Sequence, residues 1–191
     1  MKEFIPHDMI LRAQKYKYKY LAIPGALIFI NFLLRNHVDH ARYVSLLALL
    51  FYFFLLIVFR FRRAYPDHEN GDVIAPITGK IARVETLPNG SVVTIQKSLF
   101  DSSEIVTCTN ADLINKLDTE QEHVSWKIEG ANTKIFTDLT VNYKSVLIGL
   151  AAGNATCEVF IPSRYELIVN EGNKIEGGIS VIAEEGEKED E

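Results

Sequence analysis

Few residues in this sequence have the types and spacing to do chemistry, and they are scattered. Cys108 and Cys157 have no Cys or His beside them at metal-ligand spacing, so the pair reads as two buried thiols on strands and zinc is not expected. His37, Asp39 and His40 cluster in Arg35–Arg42 (RNHVDHAR), where no further ligand follows; a solvated turn is the expectation. His123, in Glu122-His123-Val124, is a lone histidine on an expected strand, a setting that is ordinarily structural. Gly149-Leu150-Ala151-Ala152-Gly153 is small and apolar, but the Lys-Ser/Thr of a phosphate loop does not follow it. Asn89-Gly90-Ser91 and Asn154-Ala155-Thr156 match the glycosylation sequon, which has meaning only for a domain that meets the secretory machinery. Trp126 suits a core or an interface. From these residues alone, no metal or cofactor is expected.

The elements that must position these residues fall into two unlike parts. The mean hydropathy of +0.06 averages them away. Residues 1–63 carry ten Lys/Arg against three Asp/Glu, a net of +7. Residues 64–191 carry ten against twenty-two, a net of −12, and together they give the −5 of the whole chain. So acidic a second part repels a phosphate backbone, which argues against nucleic acid as a partner. The basic first part is attracted to anionic lipid headgroups.

Two uncharged apolar stretches dominate residues 1–63: Tyr20–Leu34 and Tyr43–Phe59. Each is somewhat shorter than the ~20 residues that cross ~30 Å of hydrocarbon at 1.5 Å per residue. Flanking tyrosines and cations extend them, because tyrosine settles at headgroup level and long cationic side chains snorkel outward. The expected membrane-interface residues are Lys15, Lys17 and Lys19 before the first helix, and Arg60, Arg62 and Arg63 after the second. A short connection implies an antiparallel transmembrane hairpin; entry into a single leaflet is the competing geometry. The cations favour a cytoplasmic location for both termini and for everything after residue 63. Pro24-Gly25 is expected in the first turns of the first helix, where proline is least costly.

From Asp72 the pattern changes to short alternating segments: Gly79–Glu85, Ser91–Gln96, Glu104–Thr109, His123–Ile128, Thr133–Val141, Thr156–Ile161 and Tyr165–Val169. Pro88-Asn89-Gly90, Glu129-Gly130, Glu171-Gly172-Asn173 and Gly177-Gly178 mark the turns between them. One short helix is expected over Ala111–Leu117, capped by Asn110. The reading is therefore a β-rich domain over 64–183, followed by an acidic disordered tail, 184–191. An internal echo adds detail. Ile74–Ile81 (IAPITGKI) reads as strand, turn, strand, and Ile161–Gly178 repeats that plan near the domain's end. Two half-motifs at opposite ends resemble a barrel-sandwich hybrid. No lysine has the hairpin context of a lipoyl or biotinyl carrier, so a swinging-arm cofactor is not expected.

The order of features narrows the resemblance. Two apolar helices, Phe59-Arg60 with Pro66 close behind, and Val73-Ile74-Ala75-Pro76-Ile77-Thr78-Gly79-Lys80-Ile81 are similar to the short membrane-anchored phosphatidylserine decarboxylase proenzymes. The stretch from Glu158-Val159-Phe160-Ile161-Pro162 through Val169, Gly172, Ile175 and Gly178 to Val181-Ile182-Ala183 matches that family's last strands in spacing. The resemblance covers roughly residues 20–85 and 150–184 and implies self-cleavage at a Gly-Ser bond that leaves a pyruvoyl cofactor. At the matching position this chain has Gly153-Asn154-Ala155-Thr156, with no serine. The cleaving side chain must attack the preceding carbonyl and then eliminate. Asn154 and Ala155 can do neither; Thr156 and Cys157 are the substitutes. The family's Ala-Asp-Gly-Lys aspartate is Thr78 here, and His123 is the one candidate for its histidine.

A kept fold with a lost reaction is what these departures imply: a non-catalytic membrane protein acting as scaffold or subunit of a membrane complex or homo-oligomer. A divergent pyruvoyl-type phospholipid decarboxylase is the alternative. A membrane-fusion-type adaptor is the second alternative, although residues 86–155 have no heptads for its coiled coil.

Overall fold

The computed structural model describes residues 6–34, 41–62, 64–66, 71–109, 113–114, 116–120, 122–136 and 144–186. The turn expected at His37, Asp39 and His40, the interface residue Arg63, the cap Asn110 and residues 187–191 lie outside them.

Helix α1 (Pro6–Leu34) begins far earlier than Tyr20. Pro6 opens it where a missing N–H costs nothing, and Asp8 complements the positive end of the helix dipole. It then runs through the cationic stretch because Met9, Ala13, Tyr16 and Tyr20 recur on one face, and that face has something to pack on. Pro24 is consequently well inside the helix, not in its first turns. Helix α2 (Ala41–Val58) closes with Phe59 N–H donating to Leu55 O at 2.9 Å. Tyr16 and Tyr20 both meet the Phe59 ring, at 6.2 and 5.0 Å, so the end of α2 lies beside the middle of α1. Among the described residues one helix, over Asp8–Leu34, is long and apolar enough to cross a membrane; the apolar stretch of α2, Tyr43–Val58, is shorter.

The strands follow: β1 (Val73–Ile74), β2 (Gly79–Leu87), β3 (Gly90–Lys97), β4 (Glu104–Val106), β5 (Leu113–Ile114), β6 (Ser125–Gly130), β7 (Thr133–Ile135), β8 (Leu147–Ala151), β9 (Ala155–Pro162), β10 (Tyr165–Leu167), β11 (Lys174–Ile175) and β12 (Val181–Glu185). They form three open sheets with orders β1-β12-β10, β11-β2-β3-β9-β6-β5 and β4-β8-β7. The pairing is antiparallel except between β5 and β6. That exception corrects the expected helix at Ala111–Leu117. Leu113 and Ile114 pair with Ser125 and Trp126, and sheet pairing beside the buried tryptophan outweighs a short run's helical spacing. Strand β12 also takes in Glu184 and Glu185, which pair with Glu166 and Tyr165, so the ordered chain reaches past residue 183.

The two echoed segments pair with each other. β11 lies on β2 (Lys174 opposite Lys80), and β12 lies on β1. Between them Gly178 N–H donates to Ala75 O at 2.9 Å, and Ala75 N–H to Ser180 O at 2.9 Å. Gly79 is fixed by close approach: a Cβ there would sit 2.5 Å from the Gln96 carbonyl oxygen. Gly178 has φ +73° and carries the Tyr65 ring where a side chain would go.

Two cores share strand β8. Ile148 and Ala151 belong to the main core, with Trp126, Ile95, Cys157 and Val159. Leu147, Leu150 and Ala152 belong to a second core that is closed by Ala13, Leu21, Leu55, Val58 and Phe59 of the helical segment. The strand is therefore buried on both faces, which explains its unbroken apolar run. Polar ties reinforce the junction. Ser103 N–H and Oγ both donate to Arg60 O at 2.8 Å, Arg60 Nη2 donates to Phe100 O at 2.9 Å, and Arg12 Nη1 donates to Phe136 O at 3.0 Å.

Candidate functional site

Strands β3 and β9 run side by side, with Lys97 opposite Ala155 and Gln96 opposite Thr156. Along β3, Val93, Ile95 and Lys97 share the inward face, so the alternation that buries two apolar residues also buries a lysine. Lys97 is 3% exposed. Its ammonium donates to Ser98 O at 3.0 Å, Asp101 O at 3.1 Å and Gly153 O at 3.0 Å. All three protons are thus used, and the group is a cationic pin that holds residue 153 to the loop after β3. Burial lowers its pKa, with the charges of Asp101 and Glu104 acting the other way.

Outside the pin, Gly79, Lys80, Gln96, Ser98, Asp101 and Asn154 line an open cleft of about 610 Å³. A smaller hollow of about 320 Å³ shares Asp101 with it and reaches Arg60, Arg62, Thr78 and Glu176. Thr78 accepts a hydrogen bond from Gly177 N–H at 2.9 Å and shares one with Ser102 Oγ at 2.7 Å, so it ties the two echoed segments together. Arg62 Nη2 donates to Glu176 at 2.7 Å, while the buried Arg62 Nη1 has no hydrogen-bond partner among the described residues.

Behind this hollow is Glu104, fully buried, with Ser102, Arg62 and Lys97 as its polar neighbours. Burial pushes its pKa up, with Ser102 and the Arg62 and Lys97 charges opposing. The folded protein therefore binds a proton at Glu104 more tightly than the unfolded chain does. Stability falls as pH rises from the ordinary carboxyl range toward that raised pKa. Glu104→Gln is expected to melt a few degrees above the parent at neutral pH, with the difference closing near pH ~4. Melting curves of the two proteins across that range check it; a Gln variant that melts lower at neutral pH would mean that the charged form is the stabilising one.

The residues singled out from the sequence separate into two places. Gly153, Asn154, Ala155 and Thr156 lie together at the start of β9, beside Lys97. Gly153 has φ +104°, Asn154 and Thr156 are exposed, and Ala155 is buried. Cys157 faces the main core between Ile95 and Ile128. Burial, with the nearby Glu158 charge, raises its pKa, so the thiolate that would act as nucleophile is disfavoured. Exposed His123 precedes β6 at the opposite end of the ladder, near the Ser125–Phe160 pair. The seven residue steps from Gly153 to Phe160 separate that end of the ladder from Gly153 by roughly 23 Å at ~3.3 Å per residue. The fold does not bring His123 to residues 153–157. Lys15 and Lys19 are exposed, Lys17 lies 6.0 Å from the Phe61 ring, and Arg60 and Arg62 join the smaller hollow.

Lys97 and Glu104 are what the sequence reading overlooked. Lys97 carries a signal, a charged residue at the inward parity of an apolar strand, whereas Glu104 opens a short strand buried at every position. Among the described residues no group of three or more His, Cys, Asp or Glu side chains could hold a metal ion. No protein-family model, no curated protein and no solved structure matches the chain.

Proposed function

We propose that this protein is a membrane-anchored relative of the phosphatidylserine decarboxylases that no longer makes a pyruvoyl group and serves as a scaffold or subunit of a membrane complex. The observation that carries the reading is the state of residues 153–157. Here the fold has an occupied lysine pin and no serine. The one side chain there whose attack and elimination would give dehydroalanine and hence a pyruvoyl group, Cys157, is turned into the core. Thr156 is accessible, but its attack would leave a different ketoacyl group. His123 is too distant to assist.

The pairing of the two echoed segments supports the barrel-sandwich hybrid as the ancestral plan, with the sheets left open. Exposed Leu, Ile and Phe on nearly every side of residues 23–34 and 43–57 support a hairpin in lipid rather than in a core. The cationic flanks favour the cytoplasmic side for the β domain. Its acidic surface suits basic protein partners, or a homo-oligomer built through other faces.

Intact mass of the detergent-purified chain, with and without a carbonyl-reactive label, tests the proposal. A single unlabelled species near 21.6 kDa is expected. Two fragments, one bearing a reactive carbonyl, would overturn it in favour of a divergent decarboxylase and identify the cleaving residue.

A further inference from the structure

The proposed membrane anchor has a feature that its sequence does not disclose: its near end is not free. Residues Ala13, Leu21, Leu55, Val58 and Phe59 are buried in the core shared with β8, and the exposed apolar surface becomes continuous only beyond them, over 23–34 and 43–54, with Leu11, Tyr18 and Ile57 as exposed positions nearer the domain. That exposed tip, 22–34 of α1 and 43–54 of α2, is about 20 Å long at ~1.5 Å per residue, against ~30 Å of hydrocarbon. The segment beyond the tip reads Arg35-Asn36-His37-Val38-Asp39-His40-Ala41-Arg42. Charges of both signs are expensive at the bilayer centre, so in the anchor reading the apolar tip ends where the hydrocarbon ends.

Two heights on the near side can be fixed independently. Lys17 Nζ lies 6.0 Å from the Phe61 ring, so the cations before α1's apolar stretch and those after α2 stand at one level. From Lys17 to Leu34, and from Arg60 back to Tyr43, each helix extends about 26 Å at ~1.5 Å per residue. That span matches the hydrocarbon once the cations snorkel. With the end of the tip at one edge of the hydrocarbon, the Lys15/Lys17/Lys19 and Arg60/Arg62 belt is at the other. The second core, which includes Leu21 and Leu55 on the tip side of that belt, is then at the bilayer surface as well.

Resting on the anchor reading, we infer that the β domain is seated directly on the near leaflet, with the loop Ser98–Ser103 as its contact and Phe100 entering the headgroup layer. Phe100 is 61% exposed, a large aromatic with no cover. Its own carbonyl is held by Arg60 and its neighbour Leu99 packs into the second core, so the loop is fixed at the height of the belt. Charge selects the surface. The β domain is acidic, whereas the belt beside this loop is basic, so an anionic leaflet attracts the domain here and repels it elsewhere. The domain is a membrane-apposed body, not a head on a tether.

The test uses the full chain in vesicles of phosphatidylcholine and phosphatidylglycerol in equal parts. Cys108 and Cys157 are buried, so an environment-sensitive maleimide dye reports single added cysteines. Three are made: Phe100→Cys, Asn89→Cys at the far end of β3, and Leu47→Cys on exposed α2. The expected result is emission at position 100 that is blue-shifted and severalfold brighter than at position 89 in the same vesicles. Quenching there should come from lipids spin-labelled at the headgroup. Position 89 stays water-like and position 47 is quenched by lipids labelled deep in the acyl chain. Water-like emission at 100 with position 47 inserted would overturn the inference and leave the anchor standing. Water-like emission at both would overturn the anchor and the inference together.

Discussion

Lys97→Met is expected to lower stability by about 3 kcal/mol, the largest effect we anticipate for a single substitution outside the apolar core. Relief from burying an ammonium offsets part of the loss. Against it stand three carbonyl acceptors, on Ser98, Asp101 and Gly153, that lose a charged donor at once. The thioether of methionine fills the same channel and donates nothing, so packing changes little and hydrogen bonding changes much. Urea unfolding of the detergent-solubilised protein gives the answer. A lower midpoint with an unchanged slope identifies the pin; an unchanged midpoint would make Lys97 a bystander whose carbonyls find other donors.

The second large effect concerns the boundary at residue 63. A fragment of residues 64–191 would uncover Leu147, Leu150 and Ala152 and lose the two bonds from Ser103 to Arg60 O. At roughly 1.5–3 kcal/mol for each fully buried leucine, the loss reaches about 5 kcal/mol with its smaller neighbours. That is comparable to the entire stability of an ordinary domain. The fragment should therefore aggregate or elute expanded in size-exclusion chromatography. A monomeric fragment with native-like circular dichroism would mean that the β domain folds without the helices and that the second core is dispensable.

Much of this architecture was legible in the residues. Strands β2, β3 and β9 alternate strictly enough that their positions follow from the pattern, and Gly79 and Gly90 mark where β2 and β3 begin. The two apolar stretches announced α1 and α2. What could not be read were features that exist only through tertiary contact. Nothing local extends α1 backward through Lys15, Lys17 and Lys19; the surface of β8 does, by giving Tyr16 and Tyr20 a place to pack. Nothing local makes Leu113–Ile114 a strand, since the partner is β6 beside Trp126. Strand β8 was missed because burial on both faces erases the two-residue period. The candidate site divides in the same way. Residues 153–157 were found from their place in the chain, but the separation of His123 from them required the β6–β9 register.

The shared second core has a consequence for assembly. In the proposed anchored form, a domain joined to its helices by a wall of side chains, not by a linker, would keep one orientation toward the bilayer. Copies in one membrane can then only translate in its plane and spin about its normal. A closed homo-oligomer of that form would have its symmetry axis along that normal, with the side walls of the domain and the exposed helix faces as the surfaces that meet. A soluble partner, by contrast, would be kept only from the surface that faces lipid.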